Sequence, residues 1–225
     1  LVLEKRRKRL RVLKKSGFLI SLGGVLMIIS LALLFINFNR LESKKNSAIN
    51  LENEFQNNKA KNEKNKLSKE IKKEKTKNET GDKITDDKAI GVLRVDDIKL
   101  ILPIYMNTSR KALSNGCGIV TDTDMPSNKN NTMTVLAAHR GGRNEDFTFK
   151  KINELKNGSV IKITTKTQIL YYEVYGYEII EPDDWSKFIK EPDKSKLYLM
   201  SCHPYPYDSQ RLLIKSKLIK SVSND

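Results

Sequence analysis

Cys202 and Arg211 lie nine residues apart within residues 197–214, which read LYLMSCHPYPYDSQRLLI. A short apolar run ends on the cysteine. A bend rich in Pro and Tyr follows, and a second apolar run opens with the arginine. A thiol and a guanidinium are thus expected at facing ends of two neighbouring strands. A thiol attacks only as thiolate, so its free pKa of about 8.5 must be lowered or a base must take its proton. Histidine is the natural partner. Acyl transfer further needs a donor where the oxyanion develops. Cys, His and Arg therefore form a minimal set for nucleophilic acyl transfer.

The chain offers few candidates: Cys117, Cys202, His139 and His203. His203 follows Cys202 directly, and on a strand adjacent side chains point to opposite faces. His139 ends another apolar run and can approach across the sheet, so it is favoured as the base, with His203 in a secondary role or none. Cys117, between two glycines, reads as a small buried residue. A buried core thiol is an equal reading for Cys202 on spacing alone, and a Cys117–Cys202 disulfide is the oxidised alternative outside a cell. Arg211 is the best-placed guanidinium. Arg140 and Arg143 are near His139 but in a Gly-rich bend that can point anywhere, and a surface ion pair is the competing role for Arg211. The Cys and His spacing does not fit zinc. Glu181, Asp183, Asp184, Glu191 and Asp193 share one loop, where solvation is the stronger reading and a weak calcium ion the weaker one. No cofactor is expected.

Short β-rich runs must position these groups. Strands are predicted at 91–95, 99–105, 119–120, 132–138, 160–165, 168–180, 197–201 and 211–219. Pro103 belongs at an edge or bulge, because it cannot donate to a ladder. Phe149, Ile152 and Leu155 fall three apart before Gly158, which predicts a short helix with a Gly stop. Residues 181–196 form a long loop. The fold class is mainly β, a closed or nearly closed antiparallel barrel with one or two short helices.

The net charge of +15 is unevenly spread. Residues 1–39 carry eight Lys/Arg against one acid, whereas residues 91–225 carry twenty against sixteen. A nucleic-acid-binding domain would concentrate its basic residues on the folded part, so that class is set aside. Residues 18–38 form an uncharged, mostly apolar stretch of twenty-one residues. As a helix it spans roughly 30 Å, the thickness of a bilayer core. The basic segment before it places the N-terminus in the cytoplasm and residues 40–225 outside. A cleaved signal peptide is the competing reading, but Asn37-Phe38-Asn39-Arg40 makes a poor cleavage site. Four regions follow: a basic cytoplasmic segment (1–17), a transmembrane signal anchor (18–38), a polar Lys/Glu/Asn-rich stalk (39–88) and a folded domain (89–225). Leu41, Ala48, Leu51 and Phe55 hint at a heptad seam that then fails, so the stalk reads as partly helical and solvated.

Residues 197–214 resemble the cysteine signature of sortases, the membrane-anchored transpeptidases of Gram-positive bacteria. Tyr198-Leu199-Met200-Ser201-Cys202 is similar to the family's Thr-Leu-x-Thr-Cys, with Arg211 nine residues on. Leu136-Ala137-Ala138-His139-Arg140-Gly141 resembles the family's histidine strand. Phe149, Ile152, Leu155, Lys156 and Gly158 resemble its following helix and turn, and Leu102-Pro103-Ile104 an early strand. Ser201 replaces Thr but keeps the hydroxyl, Tyr198 replaces the first Thr, and Ala138 stands where Gly is common. The resemblance implies an eight-stranded sortase-type β-barrel with a catalytic triad of His139, Cys202 and Arg211. It implies cleavage of an LPXTG-like sorting signal through a Cys202 thioester, then transfer to an amine such as that of lipid II. An N-terminal anchor without a C-terminal membrane segment or an Asp-Pro-aromatic lid resembles class A or class D. The alternatives are a pilin-polymerising enzyme using a protein Lys, or a non-catalytic surface adaptor that binds such peptides.

Overall fold

The structure, a computed structural model, describes residues 2–69, 88–141 and 147–224, with side chains of the first helix described over residues 21–57. The distal stalk (70–87) and Arg143 lie outside the described residues. The chain divides into two compact units, at Leu1–Lys44 and Lys45–Asp225.

The first unit lies within helix α1 (Val2–Lys69). α1 contains a stretch long and apolar enough to cross a membrane, with mean hydropathy 2.2 and none of that stretch buried. Its exposed Leu, Ile and Phe side chains need an apolar surrounding that water does not provide.

The second unit is a closed barrel of eight strands in the order β1-β2-β3-β4-β7-β8-β6-β5. They are β1 (Gly91–Val95), β2 (Leu100–Tyr105), β3 (Cys117–Ile119), β4 (Thr132–Ala137), β5 (Val160–Thr165), β6 (Gln168–Ile180), β7 (Ser195–His203) and β8 (Gln210–Ser223). A short helix α2 (Arg110–Asn115) precedes β3, capped by the Ser109 hydroxyl, which accepts from the Ala112 N–H. The expectation of an antiparallel barrel needs correction. The β2–β3 and β4–β7 pairs are parallel. Parallel neighbours need a crossover: α2 lies between β2 and β3, and β5, β6 and residues 181–194 lie between β4 and β7.

Residues 149–155 also differ from expectation. They form turns and a 3₁₀ segment at Ile152–Glu154, not an α-helix. Apolar residues spaced three apart fit the three-residue period of a 3₁₀ turn. The Gly stop is there, with Gly158 at φ +89, a conformation glycine adopts without steric cost. Pro103 sits inside β2 without breaking a ladder. Its carbonyl faces β3 and accepts from the Cys117 thiol at 3.5 Å. The missing N–H lies on that same side, where β3 pairing begins only at Ile104.

Alternation along the strands fills the barrel. Leu93, Leu102, Ile163, Leu170, Tyr172, Leu197 and Leu199 are fully buried in one core with Phe149 and Ile152. Each contributes on the order of 2 kcal/mol by leaving water. The segment of α1 in this unit joins that core through Ala48 and Phe55. Glu52 is buried beside them, paired with Arg94 of β1 and with Lys162 of β5 at 3.0 Å. The Thr164 hydroxyl donates at 3.3 Å to Oε1, the oxygen that Lys162 also meets. The reading of residues 39–88 as a solvated stalk thus does not describe residues 48–55, whose apolar seam covers the outside of β1 and β5.

Candidate active site

Strand parity assembles the site. On β7, Leu197 and Leu199 point into the barrel, so Tyr198, Met200 and Cys202 point outward. β7 and β8 pair in antiparallel register, with Tyr198 opposite Lys215, Met200 opposite Leu213 and Cys202 opposite Arg211. Directly opposite residues share a face, so Cys202 and Arg211 both point outward. On the other side of β7, the parallel ladder with β4 sets Val135 level with Tyr198 and Ala137 level with Met200. The ladder ends there; the same alternation, carried one pair of residues further, would bring His139 level with Cys202 on the same face.

That continuation is built from hydrogen bonds beyond the end of β4. The Ala138 N–H donates to the Met200 carbonyl at 3.3 Å. The buried Ser201 hydroxyl donates to the Ala138 carbonyl at 2.9 Å. The Phe149 N–H donates to the His139 carbonyl at 2.7 Å, fixing the backbone on its far side. Exposure alternates accordingly: Ala138 buried, His139 exposed, Arg140 buried. His139 stands in solvent and Cys202 is half-buried.

Arg211 donates to the carbonyls of Asp208 at 2.7 Å and Gln210 at 2.8 Å, which ties its guanidinium to the bend after β7. Tyr205, from the bend after β7, packs beside the Gly141 backbone. A Cβ at position 141 would meet its ring at 2.3 Å, so Gly141 allows the ring to lie on the backbone just after His139. The Lys150 ammonium stands 6.0 Å from the centre of that ring.

β7 continues through His203, the condition for its side chain to point away from that of Cys202. His203 Nδ1 is buried and meets no hydrogen-bond partner among the described residues. Cys117 and Cys202 are both free thiols. Cys117 is fully buried on β3, and burial pushes its thiol well above the usual range, which keeps it protonated and unreactive.

The outward face beside the site carries a second, smaller core of Val120, Met133, Val135, Ile180, Tyr198 and Leu213, covered by Phe188 of the β6–β7 connection. Tyr198 is part of it. Its hydroxyl bonds that of Tyr175 at 2.8 Å, and the buried Lys196 ammonium stands 5.7 Å from its ring centre. Of the loop carboxylates, Glu191 pairs with Lys194 and Lys196. Asp184 accepts from Ser186, and Glu181 accepts from Gln210 at 3.1 Å.

Near the site, Arg140 is the residue that sequence reasoning misjudged. Far from pointing anywhere, it is buried and bonds the Cys202 carbonyl at 3.2 Å. Burial lowers its pKa, while the nearby Cys202 sulfur pulls it the other way. The alternation from His139 to Arg140, had it been carried past the strand end, places it inward.

A thiol, an imidazole and a guanidinium carried at or just past neighbouring strand ends form a set suited to acyl transfer through a thioester. The sortase domain family model matches residues 93–219. Sortase D of Bacillus subtilis (strain 168) is 29% identical over 131 residues, covering 58% of this chain and 63% of that protein. The chain therefore spans less than two thirds of that relative's length. The crystal structure of Clostridium perfringens sortase C with the C-terminal cell wall sorting motif is similar with a TM-score of 0.57 and 30% identity, covering 64% of this chain and 79% of that one. Sortase C of Streptococcus pneumoniae, a structure titled for catalysis and pilin substrate specificity, gives 0.58 and 28%, covering 62% and 73%. The match runs from within β1 into β8, takes in the strand ends that carry His139, Cys202 and Arg211, and covers more than half of the chain, which belongs to the sortase family.

Proposed function

We propose that this protein is a membrane-anchored cysteine transpeptidase that cleaves an LPXTG-like sorting signal and transfers the new carboxyl terminus to an amine, with lipid II as the cell-wall acceptor. The observation that carries this reading is the cross-strand pairing of Cys202 with Arg211 beside the end of β4, two residues before His139. The likeness to a sortase C solved with a cell wall sorting motif supports the substrate class.

In this mechanism the Cys202 thiolate attacks the Thr carbonyl of the signal, forming the S–C bond. Arg211 stabilises the oxyanion and holds the substrate. The Thr–Gly C–N bond breaks as His139, an imidazolium, gives its proton to the departing Gly amine. An incoming amine then attacks the thioester and passes a proton to neutral His139, and the thiolate leaves. The balance closes with one amide broken and one formed. The apolar part of α1 anchors the chain, with the basic N-terminus in the cytoplasm and the barrel outside.

A second reading, a pilin polymerase with a protein Lys as acceptor, has the likeness to the Streptococcus pneumoniae sortase C in its favour. The chemistry up to the thioester is the same. Intact-mass trapping of the acyl-enzyme with a library of sorting peptides tests both. A thioester on Cys202, absent from Cys202→Ala, is expected. Peptide binding without a thioester in the wild type makes the protein an adaptor instead. Lipid II fragments and Lys-bearing pilin segments, offered to the acyl-enzyme in competition, separate the two acceptors.

A further inference from the structure

Arg140 follows His139, yet its side chain turns the other way and is buried, with 8% of its surface exposed. A buried guanidinium is costly unless its donors are met. Here they are met by three different parts of the chain. Nε donates to the Lys150 carbonyl at 3.3 Å. One terminal nitrogen donates to the Asn153 side-chain oxygen at 3.0 Å, and the other to the Cys202 carbonyl at 3.2 Å. These acceptors are two carbonyls and an amide, with no carboxylate among them, so the group is placed for its fork geometry and not to neutralise a buried acid.

The position along the strands gives that geometry a purpose. The β4–β7 ladder ends with Ala137 opposite Met200. Beyond it come the Ala138 N–H to Met200, the Ser201 hydroxyl to Ala138, and then Arg140 to Cys202. After one more backbone bond, side chains take over where the two strands would otherwise separate. The last such bond lies at the level of His139 and Cys202.

We propose that Arg140 is a positioning residue that sets the separation of His139 and Cys202 by clamping the nucleophile's own carbonyl to the end of the histidine strand. The proposal rests on the transpeptidase reading for its consequence, but not for its geometry. Lysine keeps the charge and cannot make the three-way fork.

The test uses the full-length chain in detergent micelles, with Arg140→Lys and Asn153→Ala. Asn153→Ala leaves the arginine in place but frees one arm, and it serves if Arg140→Lys fails to fold. Two readouts are taken: single-turnover acylation by a sorting peptide, and iodoacetamide alkylation of Cys202 at pH 7 followed by intact mass. Arg140→Lys is expected to slow acylation at least tenfold with KM within twofold, and to slow alkylation at least threefold. Asn153→Ala is expected to do both more weakly. The alkylation loss disappears when Arg140→Lys is made in a His139→Ala background, because there is then no imidazole left to misplace. Equal slowing in both backgrounds, or acylation within twofold of wild type in both single variants, overturns the proposal. Should the wild type form no thioester at all, the transpeptidase reading falls, and the alkylation cycle still decides the role of Arg140.

Discussion

Cys202 and Arg211 are direct cross-strand partners in the β7–β8 ladder. Opposed residues of such a pair have their Cβ atoms about 5 Å apart and on one face. The eight residues between them fold back so that Cys202 and Arg211 face each other across the two strands. The backbone carbonyls of Asp208 and Gln210 hold the guanidinium there. Arg211→Ala is expected to lower the acylation rate by about 10²–10³-fold, the cost of losing an oxyanion donor. Arg211→Lys should recover little of it, because an ammonium cannot bond two carbonyls and still present a planar fork. Single-turnover kinetics on both variants reads this directly; a lysine variant at wild-type rate would sink the oxyanion role.

Ser201 stands where the family pattern has Thr, and its hydroxyl donates to the Ala138 carbonyl at 2.9 Å, fully buried. Ser201→Ala should cost about 1–3 kcal/mol, since the carbonyl loses its donor in a place water does not reach. Ser201→Thr keeps the hydroxyl and should fall within about 1 kcal/mol of the native stability. Chemical denaturation midpoints of the two variants separate a structural hydroxyl from a dispensable one.

The Asp124 carboxylate pins two connections together. It accepts from the Met133 N–H at 2.8 Å and pairs with Lys190 of the β6–β7 connection at 2.9 Å. Burial pushes its pKa up, but Lys190 and the Met133 N–H more than offset this and hold it below the usual carboxylate range. A group with a depressed folded pKa contributes stability above its unfolded pKa, about 3.9, and loses it as pH falls through the folded value. The stability difference between wild type and Asp124→Asn should therefore be constant from pH 7 to about 5 and shrink below about pH 4. Urea unfolding across that range checks the sign; a gap that widens on acidification contradicts it.

Much of this arrangement is legible in the sequence because it depends on alternation. Residues 197–201 and 211–219 read as strands, and parity sends His203 away from Cys202 as soon as both lie on one strand. Eight β segments and a barrel follow from the same pattern. The parallel β4–β7 pairing does not, because Val135 and Tyr198 come together across sixty-three residues and no local spacing records it. Arg140 was lost for a different reason: a Gly-rich bend gives no parity of its own, and burial of the side chain depends on Lys150, Asn153 and Cys202 acting together. Glu52 was lost likewise. A carboxylate in a Lys/Glu-rich helix looks solvated until Arg94, Lys162 and Thr164 are placed around it.

That buried Glu52 makes the strongest claim on stability outside the site. β1 and β5 lie across the barrel from β7 in the strand order, so residues 48–55 brace the wall opposite the strand that carries Cys202. Glu52 meets Arg94 and Lys162, both partly exposed, while itself 2% exposed. Glu52→Ala removes the buried charge and lets both cations turn to water, so its cost should stay at about 2 kcal/mol, below the roughly 3–5 kcal/mol typical of stranding a charge. Arg94→Ala strands part of that charge on Lys162 alone and should cost about as much or more. Phe55→Ala removes a buried aromatic ring and should cost about 3–5 kcal/mol. Thermal unfolding of the full-length chain measures all three, and acylation of the folded fraction should stay within twofold of wild type. If these variants unfold like wild type, residues 48–55 do not pack on the barrel in solution and the segment is the solvated stalk its composition implies.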